Sequence, residues 1–112
     1  MTDRRERTDL LPGTLELLVL EVLRRGELHG YGIAQQIHAR SREVLQVGEG
    51  SLYPALQRLR ERGLVAAAWR RSETGRRARF YRLTAAGERA LAAARGDFER
   101  LVTAIRHVGE PA

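Results

Sequence analysis

The sequence has no cysteine, no lysine, one tryptophan and three prolines, and each shortage closes off a class of protein. Without cysteine there are no disulfides, thiolate metal sites or cysteine nucleophiles, which ends most redox and zinc-finger readings. Apolar runs such as Leu17 to Leu20 fall far short of a bilayer span, and the charged N-terminus has no apolar signal-peptide core behind it. A cytoplasmic protein without a membrane segment is expected. His29, His38 and His107 are the only imidazoles, and no paired-acid motif, glycine-rich phosphate loop or nucleophile elbow accompanies them. Neither catalysis nor a cofactor is expected. A metal site is not expected either, since it would have to use these scattered histidines and surface carboxylates. The absence of lysine fits a GC-rich genome as well as it fits any function.

What is present is a chain of 112 residues, the size of one compact domain, with 20 basic residues, all arginine, against 14 acidic ones. The position of the charge is more telling than the net value of +6. From Arg58 to Arg82 there are nine arginines and only Glu61 and Glu73, a net charge of +7, while the segments on either side nearly balance. A basic patch so confined is an electrostatic footprint for a polyanion. A solvated charged surface usually mixes the two signs.

Thr14 can cap a helix whose Leu15, Leu18, Val19 and Val22 follow the i, i+3, i+4, i+7 rule, with Leu17 and Leu20 on its other side. A helix apolar on both sides must be covered on both, which in so short a chain implies a partner subunit. This helix should stop near Arg25-Gly26. A second helix opens at His29-Gly30, carries Ile33, Ala34 and Ile37 on one face and ends near Arg42. A turn from Glu43 to Gly50 with apolar anchors at Val44, Leu45 and Val47 leads to a third helix. That helix starts around Ser51, with Pro54 tolerated in its first turn, and ends at Gly63. Two short helices joined by a turn form a helix-turn-helix candidate.

Leu64 to Arg71 and Ala78 to Leu83 read as strands, and Ser72-Glu73-Thr74-Gly75 between them supplies turn chemistry. The result is a hairpin, or wing, with arginines at its tip. Thr84 then caps a last helix reaching about Val108, about 36 Å at the usual rise. Its Leu91, Ala94, Phe98, Leu101, Ile105 and Val108 step by threes and fours, the seam of a helix packed along another. Gly87 and Gly96 admit a bend near Gly96. The expected fold is mainly α with a small β-hairpin: a winged helix-turn-helix over residues 10–83, including the N-terminal helix, followed by a dimerisation helix over 84–108. Leu17 and Leu20 join the last-helix seam as candidate dimer contacts.

In the third helix Leu52, Leu56 and Leu59 share one side, and Tyr53, Pro54, Gln57, Arg58 and Glu61 lie opposite, with Ser51 at the border. Where such a helix enters a major groove, glutamine and arginine can pair bidentately with adenine and guanine, so Gln57 and Arg58 are the candidate readers. Ser51 and Tyr53 suit phosphate oxygens, although Tyr53 also suits packing. Arg76, Arg77 and Arg79 on the wing suit the backbone and a narrow minor groove. Trp69 reads either as a core residue or as the aromatic wall of an effector pocket at an interface.

Leu28-His29-Gly30-Tyr31-Gly32-Ile33-Ala34, Gly50-Ser51-Leu52-Tyr53-Pro54-Ala55-Leu56 with Arg58-Leu59, Gly63-Leu64-Val65, Gly75-Arg76-Arg77 and Tyr81-Arg82-Leu83-Thr84-Ala85-Ala86-Gly87 follow one another in order. Together, over roughly residues 14 to 105, they resemble the PadR-like transcription regulators. The resemblance implies a dimeric winged-helix repressor whose Gly-Ser-Leu-Tyr-Pro segment begins the recognition helix and whose C-terminal helices pair. It is closest to the short-tailed kind, with one helix after the wing. Gly32 departs from the acidic residue many members carry there. The resemblance also implies release by a small-molecule effector, and the dimer seam favours a two-fold symmetric target such as a palindromic duplex operator. A winged-helix module for protein interaction or RNA binding is the competing reading, because fold does not fix function.

Overall fold

The computed structural model describes residues 13–112. They form α1 (Thr14–Leu23), β1 (Leu28–His29), α2 (Gly30–Arg40), α3 (Glu49–Glu61), β2 (Val65–Arg71), β3 (Arg77–Leu83) and α4 (Ala85–Gly109). The architecture is mainly helical with a small antiparallel sheet, as expected from the sequence. The first residues of the expected DNA-binding unit, 10–12, and the charged N-terminal stretch lie outside the described residues.

The sheet has three strands rather than a bare hairpin. Its order is β1-β3-β2, with Leu28 opposite Tyr81 and His29 opposite Phe80. A strand of two residues carries no periodicity, so only the pairing reveals it. Local signals set most other boundaries. His29 is the N-cap of α2, its Nδ1 accepting from the Gly32 N–H at 3.0 Å. Thr84 caps α4, its hydroxyl accepting from the Gly87 N–H and donating to the Gly63 carbonyl. The helix continues without a break through Gly96.

Two helix starts differ from expectation. The N-cap of α1 is Gly13, and Thr14 is already helical. The N-cap of α3 is Gly48, so the helix begins before Ser51 and Pro54 falls beyond its first turn. There Pro54 has no N–H to offer the Gly50 carbonyl, which leaves the glycine-containing entry of α3 thinly bonded at the surface.

One core joins every helix to the sheet: Val19, Leu20, Val22 and Leu23 of α1, Ile33 and Ile37 of α2, Leu52, Leu56 and Leu59 of α3, with Val65, Tyr81 and Leu91. α1 runs through its middle, touching α2, α3, α4 and β3. Both faces of α1 are therefore covered within the protomer, and Leu20, 3% exposed, needs no partner. Leu91, at 3%, is likewise core. These two residues leave the set available for dimerisation, because α4 packs along α1 over its first turns. Leu17 stays half-buried against the same core.

The turn between α2 and α3 is tight enough to place Arg42 and Glu43 in the left-handed region, at φ 57° and 66°. Such non-glycine conformations cost roughly 1–2 kcal/mol each. Side chains hold the turn in place. Ser41 Oγ donates to the His38 carbonyl and accepts from the Leu45 N–H, and His38 Nδ1 donates to the Leu45 carbonyl at 3.0 Å. Leu45 and Val47 anchor the turn against the core, but Val44 points outward at 64% exposure.

Candidate nucleic-acid interface

The amphipathic pattern of α3 leaves Gly50, Pro54, Gln57 and Glu61 opposite its core residues Leu52, Leu56 and Leu59. Gln57 is exposed on this outward side, bridging Glu61 at 3.1 Å and Arg60 at 3.0 Å. Arg58 lies on the flank toward α1. Its Nε and Nη2 both reach the Glu16 carboxylate at 3.4 Å. The two candidate readers are thus both accessible, but one begins with an acidic partner. Ser51 is half-buried at the α3 entry, and Pro54 is exposed.

Tyr53 occupies the other flank, where it packs and yet stays 45% exposed. Its ring covers Gly30, where an added Cβ would sit 2.8 Å from the Tyr53 hydroxyl. Glycine at this position lets α3 rest on the first turn of α2. Partial burial, with smaller effects from Glu49 and Tyr81, raises the Tyr53 pKa above its ordinary value. The phenol is therefore neutral and able to donate a hydrogen bond at physiological pH.

Strand alternation sorts the wing into two faces. Trp69 lies opposite Arg79 and Arg71 opposite Arg77, on the face that continues outward from Val65, Ala67 and Tyr81. Arg70 and Phe80 lie on the other face, where the Arg70 guanidinium stacks over the Phe80 ring and pairs with Glu27. His29 approaches the same ring edge-on, 5.3 Å between centroids. The tip is closed by Ser72 N–H to the Arg76 carbonyl, Gly75 N–H to the Ser72 carbonyl, and Arg71 Nη1 to the Gly75 carbonyl. Gly75, at φ 82°, supplies the left-handed residue this turn requires.

Between the wing and the entries of α2 and α3 lies an open groove of about 1300 Å³, lined by Tyr31, Tyr53, Trp69, Arg76, Arg77 and Arg79 among others. The groove brings the wing candidates Trp69, Arg76, Arg77 and Arg79 together with Tyr53 in one basic, aromatic concavity, while Ser51, Pro54, Gln57 and Arg58 do not line it. Trp69 is 56% exposed, which rules out the core reading. Its position on the wing also sets it apart from the exposed seam of α4, where Phe98, Leu101, Ile105 and Val108 are uncovered and Ala94 is half-buried. Sequence reasoning missed Tyr31 as a groove residue and Glu16 as the partner of Arg58. Among the described residues no three histidines and carboxylates come together to hold a metal ion.

The model of the Transcriptional regulator PadR-like family matches residues 19–93. The chain is 35% identical over 91 residues to "Transcriptional regulator Rv3488" of Mycobacterium tuberculosis, covering 81% of each protein. It superposes with a TM-score of 0.80 on a transcriptional regulator from Clostridium thermocellum, at 26% identity over 88% of this chain and 96% of that one. A PadR family transcription regulator from Clostridium difficile gives a TM-score of 0.75 at 25% identity, covering 88% of this chain and all of its own (100%).

Proposed function

The chain belongs to the PadR-like family of transcriptional regulators, and from that premise we propose that it binds a palindromic duplex operator as a homodimer and represses transcription until a small-molecule effector releases it. Its family and its structural neighbours are transcription regulators rather than enzymes. No helix among the described residues is long and apolar enough to cross a membrane.

The observation that carries the reading is the groove itself. The wing supplies Arg76, Arg77 and Arg79 to it and α3 supplies Tyr53, and the net charge of +7 over Arg58 to Arg82 spans both elements. In this reading Gln57 and Arg58 read base edges. Ser51, Tyr53 and Pro54 fix the helix entry against the backbone, and Arg76, Arg77 and Arg79 hold the flanking phosphates or minor groove. Residues 10–83 serve as the DNA-binding unit and 84–108 as the dimerisation helix. Phe98, Leu101, Ile105 and Val108 are its free apolar seam, Ala94 lies at its start, and half-buried Leu17 of α1 joins the interface in this reading. An effector would enter where two such helices meet, since ligand sites favour apolar interfaces.

Duplex titration over a range of salt tests the proposal. A dimer neutralising about 6 to 10 phosphates gives a slope of log K against log salt near -0.9 per phosphate. A slope close to zero removes DNA as the partner, and tighter binding to double-stranded RNA of equal length favours the RNA module instead.

A further inference from the structure

Taking the wing to be the DNA-contacting element of the proposed function, we infer that Trp69 is its positioning residue: the exposed indole holds the Arg77 and Arg79 guanidinium groups in the groove where a phosphate backbone lies.

Trp69 sits at a register position that faces the core further down the strand, as Val65 and Ala67 do, but the hairpin has run out past the core by residue 69. A large apolar side chain left 56% exposed there gains little from packing. What it does touch is cationic. The Arg77 guanidinium carbon lies 5.3 Å from its ring centroid and that of Arg79 lies 5.9 Å away, both within cation–π range. Arg79 is directly opposite in the ladder and Arg77 is its diagonal neighbour, so β-pairing fixes the arrangement.

The other wing arginines are occupied differently. Arg71 closes the tip on the Gly75 carbonyl, and Arg70 is paired with Glu27 on the far face. Arg77 and Arg79 form no ion pair among the described residues, and Arg79 Nε is enclosed without a hydrogen-bond partner. The enclosed N–H is out of reach of an incoming group, so it is the terminal Nη groups that either arginine offers a phosphate oxygen for a charge-assisted bond. An arginine already held on a ring also loses less rotamer freedom when it docks than one free in solvent. Trp69 thereby raises the wing's affinity for any duplex without reading its sequence.

The test compares wild type, Trp69→Phe and Trp69→Leu by two measurements. NMR of the arginine Nε–H groups, without DNA, detects ring-current shifts at Arg77 and Arg79. Titrations with several duplexes over a salt series give affinity and slope. Leucine keeps apolar bulk but has no π face. Trp69→Leu should lose the ring-current shifts, bind every duplex roughly tenfold more weakly across the two wings of a dimer, and lower the salt slope by about one to two. Trp69→Phe should recover most of both, which a bulk-packing role would not predict. Wild-type affinity and slope in Trp69→Leu would overturn the inference. So would the absence of ring-current shifts in wild type, and because that signal is read without DNA, it still decides the matter if wild type binds no duplex and the proposed function falls.

Discussion

Gly87 lies against the carbonyl of Leu64 so closely that a Cβ there would sit 2.0 Å from the oxygen and 2.7 Å from Leu83 Cδ1. The same carbonyl accepts from the Thr84 N–H at 3.1 Å, and the Thr84 hydroxyl donates to Gly63. The start of α4 and the root of the wing are therefore one joint.

The two interior glycines of α4 should respond to alanine with opposite signs. Helix propensity favours alanine by about 1 kcal/mol. At Gly96 the new methyl meets only the movable Arg100 guanidinium, at 3.4 Å, so Gly96→Ala should stabilise by about 0.5–1 kcal/mol. At Gly87 the overlap is with backbone, so Gly87→Ala should destabilise by about 1–3 kcal/mol or more. Thermal unfolding of the two variants checks this, and shifts of the same sign would refute the joint.

Dimerisation is predicted to fail when charge enters the free seam. Phe98 and Leu101 are exposed in the protomer, so the double change Phe98→Asp with Leu101→Asp spares the core around Leu91. It should give a folded monomer by light scattering, because burying two carboxylates from each protomer is costly. A dimer of unchanged mass would place the interface elsewhere.

The helices were legible because their signals are local: Thr84 before an apolar period, His29-Gly30 at a helix entry, and the turn residues Ser72 to Gly75. The β1 pairing was not legible, since Leu28 and His29 become a strand only through Tyr81 and Phe80, far along the chain. The two-faced α1 correctly signalled burial on both sides, but α4 of the same protomer supplies the second cover, a long-range packing that no local pattern contains. The core reading of Trp69 fails for a related reason. Alternation gives the right face of the strand, but not how far along it the core extends. In α3, winding places Arg58 on the exposed side and has no means of finding Glu16, 42 residues earlier in the chain.

Tyr53 should make stability sensitive to high pH. Burial and the Glu49 charge raise its folded pKa above the unfolded value of about 10. The neutral phenol is favoured in the fold, so its contribution is fully present below about pH 10 and is lost as pH rises through the folded value. Denaturant titrations at alkaline pH should show a shallower loss in Tyr53→Phe than in wild type. Identical slopes would remove Tyr53 as the source.

Glu16 should act as a competitor for Arg58. The pair is long and partly exposed, worth at most about 1 kcal/mol, and DNA must displace the carboxylate before Arg58 can reach a base. Glu16→Gln should therefore tighten operator binding about two- to fivefold at low salt, with base preference unchanged. Relaxed base preference would show instead that Glu16 aims the guanidinium.

Reading and anchoring should fall to different residues. Gln57 and Arg58 project from a helix that a major groove can admit, where each base pair presents a distinct pattern of donors and acceptors. Arg58→Ala or Gln57→Ala should cost roughly 1–3 kcal/mol on the preferred operator and relax the preference at one base pair in each half-site. Arg76 and Arg77 project from a hairpin whose tip is closed by its own backbone bonds, a shape suited to backbone and minor groove, where the code is degenerate. Arg76→Ala or Arg77→Ala should weaken all duplexes nearly equally and reduce the salt slope by about one for each phosphate no longer neutralised in a half-site. Two-fold symmetry repeats each change in both half-sites, so its effect on a palindrome can double. A panel of single-base operator variants, titrated with each mutant at two salt concentrations, makes the comparison. If Arg58→Ala weakens every variant uniformly while a wing mutant alters base preference, the wing reads and the helix anchors.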